Sequence, residues 1–226
     1  MRDHILEMLV KRGASTVGFA SVEEALNGDI SHLKRAISIG LRSNLKEDTL
    51  KKLENLQKEV AMYLKGEGFR YLCIPPDSDR ISDTFISKLY TLFTHKVAAT
   101  CAGVGWIGRN GLLINCDHGP RLSLATVLTD APIEVDEPIK ESRCGECYLC
   151  MEHCPSEAIT GQTWSRDNPF PDLIKTENCR DHKKSSRSVD GRPNCGLCIT
   201  ICPYGRNGNG KSVPQSHEGT EKTGKD

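Results

Sequence analysis

The chain lacks net charge: 30 Lys and Arg balance 30 Asp and Glu across 226 residues. No global positive field draws it to nucleic acid, although a local patch stays open to it. It also lacks a long apolar run. Its least polar stretch, Val97 to Gly108, is too short and too rich in glycine to span a bilayer. An export signal is missing from the first residues. Met1-Arg2-Asp3-His4-Ile5-Leu6-Glu7 turns acidic at once, no apolar core follows, and no twin-arginine pair precedes an apolar segment. A cytoplasmic location is the expectation, with neither a membrane nor DNA as partner. Thiols stay reduced there, so the eleven cysteines point to metal ligation rather than disulfides.

Composition divides the chain in three. Residues 1–138 carry three cysteines and most of the aliphatic periodicity, residues 139–205 carry the other eight cysteines, and residues 206–226 hold a single aliphatic residue, Val213. The last stretch buries too little apolar surface to offset its ordering entropy and reads as a disordered tail. In the first region Ile5, Leu6, Leu9 and Val10 mark one helical face. Leu50, Leu53, Leu56, Val60 and Leu64 predict a long amphipathic helix over 46–65. Residues 82–99 are also read as helical. Strands are predicted at 16–20, 36–41, 69–74, 112–114 and 122–128. Strands alternating with helices indicate a layered α/β or α+β domain.

The chemistry lies in two passages. Cys144-Gly145-Glu146-Cys147-Tyr148-Leu149-Cys150-Met151-Glu152-His153-Cys154-Pro155 has the C-x2-C-x2-C-x3-C-P spacing of a bacterial-type [4Fe-4S] ferredoxin run. Three thiolates two residues apart wrap three corners of a cubane from one tight loop. The fourth lies a helical turn further on and ligates the other cluster. The second passage, Cys195-Gly196-Leu197-Cys198-Ile199-Thr200-Ile201-Cys202-Pro203, lacks its first cysteine, since Arg192 stands where that ligand would fall. Cys179 is the remaining cysteine of the region and completes eight. The crossed rule assigns Cys144, Cys147, Cys150 and Cys202 to one cluster and Cys154, Cys179, Cys195 and Cys198 to the other. Structural zinc also takes four thiolates, but it pairs two C-x2-C knuckles and needs no crossed run. Cys73, Cys101 and Cys116 are read as buried small hydrophobes. Two clusters move single electrons, so the first region is expected to supply an acceptor or substrate site.

Gly103-Val104-Gly105-Trp106-Ile107-Gly108 satisfies G-x-G-x-x-G. A dinucleotide loop needs a strand before it and a helix after it, and here the order is reversed. The glycines are read instead as allowing tight turns and close backbone approach. The run Ala102 to Ile114, then Gly119-Pro120-Arg121, then Leu128-Thr129-Asp130-Ala131-Pro132 resembles the epoxyqueuosine reductase family and its relatives, the reductive dehalogenases. Both continue into a two-cluster ferredoxin domain with a displaced cysteine, which Cys179 would match. The resemblance is strong over about residues 95–205 and faint before them.

The resemblance implies a nitroreductase-like α+β domain that holds cobalamin against the nearer cluster, then a bacterial two-[4Fe-4S] ferredoxin-like domain. It implies an iron–sulfur oxidoreductase that receives electrons from a ferredoxin- or flavodoxin-type donor. In epoxyqueuosine reductases the substrate is a tRNA wobble nucleoside. Gly105, Trp106, Gly108, Arg109 and Asn110 would then help line the corrin site. The family's general-acid Asp lies a little before the glycine loop, where this chain has Ile86-Ser87-Lys88, with Asp83 nearby outside the motif. The family's C-terminal helical repeats are absent from these residues, so the chain reads as a short branch. No D-x-H-x-x-G occurs.

His95 and Tyr90 precede the loop, and either could donate a proton. Arg180, Lys183, Lys184, Arg187 and Arg192 could meet RNA phosphates or an acidic donor, or form a solvated loop with Asp181 and Asp190. Trp106 and Trp164 are read as packing residues. Two other functions stay open: a non-catalytic two-cluster electron carrier, and an activator that reduces another protein's corrinoid.

Overall fold

The computed structural model describes residues 1–26, 28–42, 47–76, 93–168, 172–185 and 195–205. Asp83, Tyr90, Arg187, Arg192, most of the predicted 82–99 helix and the 206–226 stretch lie outside them.

Four strands form an antiparallel sheet in the order β1-β2-β6-β3: β1 Thr16–Ser21, β2 Arg35–Arg42, β3 Tyr71–Ile74 and β6 Leu122–Thr129. Every pairing in it is antiparallel, which makes the class α+β. The inner strands β2 and β6 pair over their full length, with Ile37 opposite Val127 and Ile39 opposite Ala125. The two-residue side-chain period of a strand then sorts the core. Ile37, Ile39, Leu41, Ala125 and Val127 face one layer, while Ala36, Leu124 and Leu128 face the other.

Helices α1 Arg2–Lys11 and α2 Glu47–Gly66 cover the first face. They do so because Ile5 and Leu9 on α1, and Leu53, Leu56, Val60 and Leu64 on α2, recur every three to four residues. Gln57 sits buried on the same stripe. Its Nε2 donates to Ile74 O at 2.6 Å and to Thr126 O at 2.8 Å, locking α2 across β3 and β6.

The second face carries α3 His95–Cys101 and a two-stranded hairpin of β4 Trp106–Ile107 and β5 Leu113–Ile114. The G-x-G-x-x-G loop therefore follows a helix and enters a hairpin, as the residue pattern predicted. Its core runs on without a break into the cysteine-rich region: Ile139, Trp164, Leu173 and Cys202 belong to the same buried cluster as Ala98, Trp106 and Leu128. Along this boundary Ile139 N donates to Thr100 O at 2.9 Å, and Arg166 Nη1 donates to Cys101 Sγ at 3.1 Å. The two compositional regions share one hydrophobic core.

In the cysteine-rich region three helices carry ligand candidates: α4 Leu149–Glu152, α5 Thr176–Ser185 and α6 Leu197–Thr200. Among the described residues no helix is long and apolar enough to cross a membrane.

Candidate metal centre

The two C-x2-C segments repeat one local geometry. Cys144 and Cys195 are each followed by a glycine at positive φ, 51° at Gly145 and 63° at Gly196. A left-handed residue there turns the chain sharply, which glycine does at little steric cost. The next turn forms α4, carrying Cys150, and α6, carrying Cys198, and the two short helices pack against each other. The linear passages are thereby laid side by side, so the last cysteine of each reaches the other's loop.

The result is two groups of four. Cys144, Cys147, Cys150 and Cys202 line one pocket. Burial pushes the Cys150 thiol up to about 12, and neighbouring Cys144, Cys147, Cys198 and Cys202 add to the effect. Burial likewise takes Cys202 up to about 11, with Cys144 and Cys147 adding to it. In the second group burial raises the Cys198 thiol, followed by Cys179, Cys195 and Cys154. Cys154 differs. Burial pushes it up, but hydrogen bonds from Ser156 and from the Ala158 N–H, at 3.3 Å from Sγ, outweigh that and leave it below the ordinary thiol range.

Thiols that raise one another's pKa ionise together only when a cation joins them. Among the described residues no three His, Cys, Asp or Glu side chains converge as a lone ion requires. The donors instead gather in two sets of four soft sulfurs, one lining a pocket and the other grouped around Cys198, a chemistry that fits a pair of [4Fe-4S] cubanes.

The α+β unit meets this centre through the glycine loop. Gly105 and Gly108 are buried against Ile114 of β5, and a Cβ on Gly105 would fall on the Ile114 carbonyl oxygen. Trp106 is 1 % exposed and stands edge-on to Tyr204, with ring centroids 4.9 Å apart. Its indole N–H has no partner among the described residues. Arg109 and Asn110 are buried, not solvent-facing, and turn toward the cysteines. Arg109 donates from Nη2 to Gly145 O at 2.8 Å and from Nη1 to Gly161 O, and it lies 4.1 Å over the Tyr148 ring. Asn110 Nδ2 donates to Cys198 O at 3.2 Å.

Two contributors escaped the sequence reading. Arg121 donates to Tyr204 O at 3.2 Å and to Ile199 O at 3.0 Å, gripping the end of α6. Tyr204 donates from its hydroxyl to Arg143 O at 2.8 Å. Arg121 closes the Gly119-Pro120-Arg121 segment and Tyr204 follows Cys202-Pro203, but no spacing rule shows that the two meet.

His95 lies apart from the cysteines, on the wall of a cavity of about 230 Å3 shared with Lys96, Leu112, Pro120 and Ser123. Its Nε2 is 2.9 Å from Pro75 O, which only accepts, so Nε2 carries the proton. In the neutral ring Nδ1 then accepts from Thr126 Oγ1 at 2.8 Å.

Of the three cysteines outside the centre, Cys101 is buried and Cys73 half-buried, the latter pushed up to about 11 by burial. Cys116 corrects the expectation: it is exposed in the turn joined by the Asn115–Gly119 bridge, where no core reaches it.

Residues 143–205 match the family model described as a 4Fe-4S double cluster binding domain. Epoxyqueuosine reductase of Synechococcus sp. (strain RCC307) is 36% identical over 109 residues, covering 48% of this chain and 34% of that protein. The chain spans about a third of the length of the curated relatives it matches. A crystal structure of epoxyqueuosine reductase with an epoxyqueuosine-modified tRNA stem loop superposes with a TM-score of 0.63 at 19% identity, over 94% of this chain and 67% of that one. A reductive dehalogenase, whose structure suggests a mechanism for B12-dependent dehalogenation, superposes with a TM-score of 0.65 at 18% identity, over 89% of this chain and 31% of that one. Residues 143–205 thus match a double-cluster domain, and about half of the chain is similar in sequence to epoxyqueuosine reductases.

Proposed function

We propose that the chain is an iron–sulfur reductase whose two [4Fe-4S] clusters carry single electrons to an acceptor held by the α+β unit. The observation that carries this reading is the division of eight cysteines into two crossed sets, one of which shares a pocket with Arg109 and Asn110 of the α+β unit. When bound, the clusters supply one-electron transfer at a potential set by their surroundings. The chain's own residues bury the sulfurs, hold both loops against the α+β unit and exclude water from the boundary between them.

On this reading the α+β unit is a nitroreductase-like layer. Its substrate belongs to the class handled by epoxyqueuosine reductases, a modified nucleoside in a tRNA stem loop, and its electron donor is a ferredoxin or flavodoxin. His95 is the candidate proton donor at the cavity wall. To deliver a proton it must exchange its hold on Pro75 O or Thr126 Oγ1. Asp83, outside the described residues, is the other candidate acid.

Cobalamin is the acceptor suggested by the dehalogenase likeness. The described residues of the glycine loop do not offer it a cradle. The space at Gly105 and Gly108 is filled by Ile114, and the nearby cavity of about 230 Å3 is small for a corrin macrocycle. Ordinary drug-sized ligands already take roughly 300–1,000 Å3. The filled loop favours a second reading, a two-cluster electron carrier that serves another protein.

Anaerobic reconstitution, iron and sulfide analysis, cobalamin titration and an assay for loss of epoxyqueuosine from tRNA separate these readings. Two clusters with loss of the epoxide support the reductase. Two clusters with neither corrin affinity nor turnover support the carrier. Colourless protein without an EPR signal after reduction overturns both.

A further inference from the structure

We propose that Arg109 sets the order of the two cluster potentials, acting as a fixed cation that makes the Cys144/Cys147/Cys150/Cys202 cluster the easier one to reduce. The inference rests on the two-cluster reading above and adds a direction to it.

Arg109 is 6 % exposed. An isolated ionised group at that depth is expensive unless an opposite charge compensates it. Among the described residues no carboxylate pairs with it. Its two terminal nitrogens are spent on neutral main-chain carbonyls, Gly145 O and Gly161 O, and its buried Nε has no partner. The Tyr148 ring below it offers only a quadrupole. The same pocket is lined by the four sulfurs of one set, and Arg121 is a second cation that acts on Cys202 of that set. A cluster held by four thiolates is anionic and gains one more negative charge on reduction. A cation beside it therefore favours the reduced form more than the oxidised form, which raises the potential.

The second set is placed differently. Cys179 rides on α5, whose exposed Lys183 is the cation that acts on Cys198, while Arg180 and Lys184, 62% and 66% exposed, pair with Glu177 and Asp181. Solvent and those carboxylates screen them. The asymmetry makes the Cys154/Cys179/Cys195/Cys198 cluster the entry and the Arg109-side cluster the exit, next to the α+β unit. Both planar forks of that unit serve the arrangement. Arg109 fixes the first cysteine loop through Gly145 O, and Arg121 fixes the end of α6 through Ile199 O.

The test is an EPR-monitored redox titration of the anaerobically reconstituted full chain. Arg109→Gln should retain its iron and lower one cluster's reduction equilibrium constant about tenfold, or about 59 mV for one electron, leaving the other in place. Arg109→Lys keeps the charge and should restore most of the shift. If the Gln variant loses iron, Asn110→Asp adds a carboxylate to the same pocket and should lower the same potential. Two intact clusters with unmoved potentials in whichever of these variants holds iron would overturn the role of Arg109 alone. Wild-type protein without two cluster signals would overturn the two-cluster reading, and the inference with it.

Discussion

Cys154 follows Cys150 by one helical turn, yet the two lie in different cysteine sets, and alanine substitution tests whether those sets hold separate clusters. Single variants are weak evidence, because any ligand loss removes about four of roughly eight irons. Pairs discriminate. In the crossed arrangement Cys154 and Cys198 serve one cluster, so Cys154→Ala with Cys198→Ala should keep about half the iron, as either single variant does. Cys150→Ala with Cys154→Ala should lose nearly all of it, since Cys150 belongs with Cys144, Cys147 and Cys202. An uncrossed arrangement, in which each linear passage wraps its own cluster, inverts both results. Iron and sulfide per chain, with EPR spin counts after dithionite reduction, reads the outcome. A Cys154/Cys198 double variant stripped of iron, beside a Cys150/Cys154 double variant that keeps half, would refute the assignment.

Gln57→Leu removes two buried donors to Ile74 O and Thr126 O. At about 1 kcal/mol net each it should cost about 2 kcal/mol and lower Tm by about 4–8 °C, measured by thermal denaturation; an unchanged Tm would contradict the lock between α2 and the sheet. Gly105→Ala drives a methyl into the Ile114 carbonyl and should destabilise by about 1–3 kcal/mol in the same assay. In metal-free protein near pH 8.5, iodoacetamide should label Cys154 well before Cys202 or Cys150, because the thiolate is the nucleophile and the latter two are pushed up to about 11 and about 12. Peptide mass spectrometry gives the order. The same raised thiols favour the folded state fully below the ordinary thiol range and lose that contribution as pH rises through 11 and 12, so the metal-free chain should weaken in alkali.

The sequence by itself determined what is local. Thiol spacing identified all eight ligand candidates, and aliphatic periods of two and of three to four residues located β1, β2, β6 and α2 to within a residue or two. Such signals survive in a linear string because one turn or one strand imposes them. The crossed rule also sorted the eight into two sets, and the tertiary structure supplies the packing behind that sorting, α4 against α6. Only the tertiary structure showed that Arg109, Asn110 and Arg121 reach main-chain carbonyls 36 to 88 positions away. It alone placed Cys116 in solvent and joined both compositional regions in one core. A carbonyl acceptor has no residue identity, so a side chain that binds one leaves no pattern in the sequence until the chain is folded.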